Sequence, residues 1–223
     1  MPGRTLARTL AALIVVDALL IAFAVARYPD LWAEGDRLYL LYPAVAFVLY
    51  GLAALTIARA RGPATPTAFG AALWFGIAGG AVSALHLPLE DVPAFSPALQ
   101  HTVDIVLFLA LFACFVAPAA RTTADTKSVA AGIAAAVCCA LVAMLLTVAV
   151  GFAYNFASIE HHEAILRGAF AHGSMHNAAA FTFENSLDAA GTHLLEGPFI
   201  AAILGALGAA TTAFLARGTN SGS

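Results

Sequence analysis

VAAGIAAAVCCALVAMLLTVAVGFAY, residues 129–154, runs for 26 positions without a charged or histidine side chain. As a helix it would measure about 39 Å, enough to cross a hydrocarbon core of about 30 Å. It has no polar face to turn toward water, so it needs lipid or complete burial around it. The rest of the chain decides for lipid. Of 223 residues, 61% are hydrophobic and only 10% are charged, with a mean hydropathy of +0.88. A water-soluble surface needs more charge than that. A net charge of -3 offers no basic field for nucleic acid, which is not an expected partner.

Five further apolar stretches are long enough to span, at residues 9–26, 38–58, 68–87, 102–119 and 197–215. Between them lie YPDLWAEGDR, RARGPATPT, LEDVPAFSP and RTTADTK, with Pro, Gly or Asp where helices should stop. The expected fold is an all-α integral membrane protein, residues 1–223 forming one polytopic domain. It is a six-helix transmembrane bundle with an additional interfacial or re-entrant helix between spans five and six. The bilayer is the expected partner, with other membrane subunits as further candidates. Cys114, Cys138 and Cys139 sit in apolar runs without ligand spacing and read as small buried side chains.

Basic residues in the short loops orient such a chain. With the N-terminus in the cytoplasm, Arg4, Arg8, Arg59, Arg61, Arg121, Lys127 and Arg217 fall inside, against Arg27, Arg37 and Arg167 outside. Both termini are therefore expected in the cytoplasm, with residues 155–196 as a long outer loop. The first helix also resembles a cleavable signal, but its length and Asp17 within it favour a retained span.

This topology gathers the ionisable side chains. All seven histidines and eleven of the thirteen acids lie at or beyond the outer boundary, whereas Asp125 is inside and Asp17 is buried in the first span. The stretch EHHEAILRGAFAHGSMHN, residues 160–177, holds four of the histidines. Read as one helix capped by Ser158, it brings His161, His172 and His176 within an arc of about 60°. His172 and His176 are then one turn apart, the spacing by which a helix presents two imidazoles to one metal ion. His161 is roughly 16 Å further along the axis, too far to share that ion.

Downstream, Glu184 and Asp188 repeat the one-turn spacing with carboxylates, Gly191 is expected to end that helix, and His193 and Glu196 open the last span. His101 and Asp104 lie at i, i+3, a spacing that lets a carboxylate orient a metal-binding imidazole. The leading expectation is a metal site at the extracytoplasmic face, with ligands among His172, His176, Glu184, Asp188, His193, His86 and His101. Imidazole suits copper, zinc and iron, and carboxylates favour zinc or iron. Such a protein would be a metal-dependent membrane enzyme or a metal-handling protein.

Three alternatives stand beside it. One is a b-type haem protein with His86 and His101 as axial ligands. Another is a proton-coupled carrier of small solutes using Asp17 and Asp104 as its proton path. The third is an intramembrane hydrolase using Glu163, Arg167, residues 183–185 and His193 to activate water. The motif fragments for this last reading are too short to transfer residue roles.

Overall fold

A computed structural model describes residues 2–62, 65–90, 96–173 and 175–220. The order is α1 (Pro2–Arg27), α2 (Asp30–Ala33), α3 (Arg37–Arg59), α4 (Thr65–Glu90), α5 (Pro97–Thr126), α6 (Val129–Ala157), α7 (Ile159–Phe170) and α8 (Ala178–Asn220). No strand occurs among the described residues. Six helices, all but α2 and α7, are long and apolar enough to cross a membrane. The chain is an all-α, multi-pass bundle suited to a lipid bilayer.

The apolar run that opens the sequence forms the centre of the bundle. Two thirds of the α6 span is buried, against 17–44% of the other five, and α6 packs against α1, α4, α5 and α8. Its start follows from local chemistry. Lys127 adopts the left-handed conformation at the end of α5, and the Ser128 hydroxyl accepts from the Ala131 amide to cap α6. Ser96 caps α5 in the same way through Leu99, with Pro97 pre-set for the first turn.

Close packing onto α6 rests on glycine. A Cβ at Gly76 would lie 2.7 Å from Val142 Cβ and 2.8 Å from the Cys139 carbonyl, and one at Gly80 would lie 2.7 Å from Leu146 Cβ. Gly76 and Gly80 form a G-x-x-x-G stripe, the arrangement that lets two membrane helices approach backbone to backbone. The outer faces are left to lipid: Leu19, Phe23, Val48, Trp74, Phe108, Leu109, Phe199 and Phe214 are all exposed.

The end of the chain departs from expectation. Gly191 does not end a helix, because α8 runs unbroken for 43 residues, about 64 Å. A Cβ at Gly191 would sit 2.9 Å from Tyr42 Cβ, so this glycine permits close approach of α3. Residues 169–190 do not form a helix of their own. The short helix α7 ends at Phe170, and α8 begins at Ala178 and continues through the final span. Asn177 starts it, its side-chain oxygen accepting from the Ala180 amide.

Candidate functional site

The His172–His176 pair of the metal expectation is not on a helix. His172 lies in the turn that closes α7, its amide bonded to the Ala169 carbonyl, and His176 lies in the connection to α8. The one-turn spacing therefore does not align the two imidazoles. Ser158, expected to cap this helix, instead donates its hydroxyl back to the Tyr154 carbonyl at the end of α6. Met175, beside His176, is buried in the core.

His176 instead helps fasten the first outer connection to the last. Its amide donates to Glu34 Oε2 at 2.9 Å, and its Nδ1 lies 3.2 Å from the same carboxylate. Asn177 donates to Asp30 at 3.0 Å, and the Asp36 amide donates to Glu184 Oε1 at 2.7 Å. Tyr28 stacks on Phe183 at 5.1 Å beneath them. The hydrogen bonds from the His176 amide and imidazole hold the Glu34 carboxyl below the usual range. Glu184 thus serves this clasp, and Asp188, though one turn further along α8 as expected, lines neither of the two cavities described next.

The groups that do converge come from α4, α5 and α8. His86 Nε2 lies 3.2 Å from Asp104 Oδ1, with both side chains less than a third exposed. Gln100, one turn before Asp104, donates to the same oxygen at 3.2 Å. Asp104 therefore orients His86 across the α4–α5 interface. It is not bonded to His101, contrary to the i, i+3 expectation. His101 is exposed on α5 and lines neither cavity.

Two cavities open around this pair. One, about 580 Å³, is lined by Gln100, Asp104, Asn155, His162, Ser186 and His193 among others, with Ile165 and Leu166 of α7 along its side. The second, about 460 Å³, is lined by His86, Phe108, Phe112, Phe115, His193 and Glu196 among others. Leu87, Thr147 and His193 belong to both. His193 is thus the ionisable part of a shared wall, within electrostatic reach of His86 and Glu196. Asn155 donates to Ser186 at 2.6 Å in the first cavity. Among the described residues, no group of three or more His, Cys, Asp and Glu is arranged to hold a metal ion.

Asp17 has the placement expected of it and an unexpected environment. It is fully buried, yet neither carboxyl oxygen has a hydrogen-bond partner among the described residues. Tyr50 is within electrostatic reach, but its hydroxyl donates to the Leu194 carbonyl at 2.8 Å. Asp17 lines neither cavity. Glu163 and Arg167, named for the hydrolase reading, lie on α7 outside both cavities, whereas Asn185 and His193 line the first one. Asp91, counted among the outer acids, lies outside the described residues.

The sequence held a signal for this site in the shared polarity of His86, Gln100 and Asp104 at adjoining span ends. It held none for Thr147 or Gly151, which read only as parts of an apolar span. Comparison with protein-family models, curated proteins and solved structures yields no match to this chain.

Proposed function

We propose that the protein binds a small amphipathic molecule drawn from the bilayer, at the histidine-rich end of the bundle. The polar head is held between the His86–Asp104 pair and the His193–Glu196 pair, and the apolar body lies along Phe108, Phe112 and Phe115. One observation carries this reading: two cavities of ligand size, the first rich in polar side chains and the second largely aromatic and aliphatic, meet at His193 beside an oriented His–Asp pair. Predominantly apolar pockets of 300–1,000 Å³ with a few convergent polar groups are the usual form of small-molecule sites. Ionisable residues within apolar spanning helices are costly, which favours a role beyond packing.

The test is mass spectrometry of small molecules retained by protein purified in native lipid discs. Thr147→Phe fills the wall shared by both cavities without touching the charged groups, and His86→Leu removes the oriented imidazole. A compound enriched with wild type should fall at least about tenfold in both variants, as loss of a well-placed hydrogen-bonded head implies. An identical complement in all three proteins removes the proposal. Elemental analysis of the same preparations tests the metal expectation. Stoichiometric metal lost in His86→Leu or His193→Leu would put a metal centre ahead of an amphipath site.

The same proposal places the histidine-rich end outside and both termini in the cytoplasm, on the seven-to-three basic asymmetry. Single cysteines at positions 158 and 221, with the three native cysteines replaced, should differ in labelling by an impermeant thiol reagent added outside. Position 158 should label and position 221 should not; the opposite result inverts the orientation.

A further inference from the structure

A groove and a smaller cavity lie at the opposite, basic end of the bundle. Between α1 and α3 runs an open groove of about 550 Å³, lined by Ala7, Ala11, Ile14, Val15, Gly51 and Leu55 among others, with Arg4 and Arg8 at its mouth. A smaller cavity of about 260 Å³ continues past that mouth and adds Arg61. Arg4, Arg8 and Arg61 are exposed, and among the described residues none of them is paired with a carboxylate. The only acid of this end is Asp125, against seven basic residues.

The dimensions match one leaflet. From Arg4 to Val15 the groove runs about 16 Å along α1 at 1.5 Å per residue, half of a hydrocarbon core of about 30 Å. Its floor is open where it matters: a Cβ built at Gly51 meets nothing within 4 Å. A groove of acyl-chain length that ends in unpaired arginines is complementary to a lipid with a negatively charged head group. We propose that α1 and α3 hold one anionic phospholipid, an acyl chain in the groove and its phosphate between Arg4, Arg8 and Arg61.

The experiment is native mass spectrometry of delipidated full-length protein, titrated separately with phosphatidylglycerol and phosphatidylcholine. Wild type should retain one phosphatidylglycerol in clear preference to phosphatidylcholine. Arg4→Gln with Arg8→Gln should weaken phosphatidylglycerol retention by about 10- to 30-fold, the effect of two basic side chains at a membrane surface. The charge-matched pair Arg121→Gln with Arg217→Gln, away from the groove, should change it by less than about twofold. Gly51→Leu enters open space, so the fold is kept while the groove is filled, and retention of both lipids should drop. Equal loss in the two arginine pairs would mean diffuse attraction and overturn the site. So would unchanged phosphatidylglycerol retention in Gly51→Leu, or no lipid preference in wild type.

Discussion

Gly76→Leu is expected to destabilise the bundle by about 3 kcal/mol or more, the upper range for forcing side-chain atoms into a packed interface. Even a methyl group at this position would press on the Cys139 carbonyl at 2.8 Å and on Val142 Cβ at 2.7 Å. The carbonyl belongs to the backbone of α6, which is confined by α1, α4, α5 and α8, so relief requires whole helices to separate. Gly76→Ala meets the same two atoms with less bulk and should cost about 1–3 kcal/mol. Gly70, in the same helix, is the control. Its Cβ would meet nothing within 4 Å, so Gly70→Ala should be neutral or stabilise by up to about 1 kcal/mol through helix propensity. Equilibrium unfolding in mixed micelles reads all three. If Gly76→Leu and Gly70→Ala are equally stable, the α4–α6 interface is assigned wrongly.

Asp17→Val is expected to act in the opposite direction, raising stability by about 1–3 kcal/mol, the usual cost of a buried polar group left unpaired. Asp17 is fully buried and both its oxygens lack a partner among the described residues. Removing the carboxyl takes away an expense and breaks no bond. Asp17→Asn keeps a polar group in the same place and should stay within about 1 kcal/mol of wild type. A large loss of stability in the valine variant would show that the carboxyl is engaged in the folded protein. A gain makes the presence of Asp17 a matter of function, since stability alone would favour an apolar residue there.

The sequence alone was enough for a membrane-suited chain with six long apolar helices, though not for the length of the last one. Hydropathy is a local property that accumulates over about 20 residues, and a spanning helix satisfies its backbone within itself. The apolar run of residues 129–154 needed no knowledge of its neighbours to be read as a span. Even so, only packing made it the central helix of the bundle.

The site was legible in its residue types and illegible in its pairings. The expectation for His172 and His176 assumed one helix through Gly173, but α7 stops at Phe170. His176 then meets Glu34, 142 positions away in sequence. His86 and Asp104 lie on different helices, and whether they face one another depends on how α4 and α5 are rotated about their axes. Gly191 carries the same lesson, because a glycine that ends a helix and one that admits a neighbouring helix look identical in sequence. Here Tyr42 of α3 decides the matter. Which side chains share a cavity is settled by helix rotation and close approach, and those are properties of the assembled bundle.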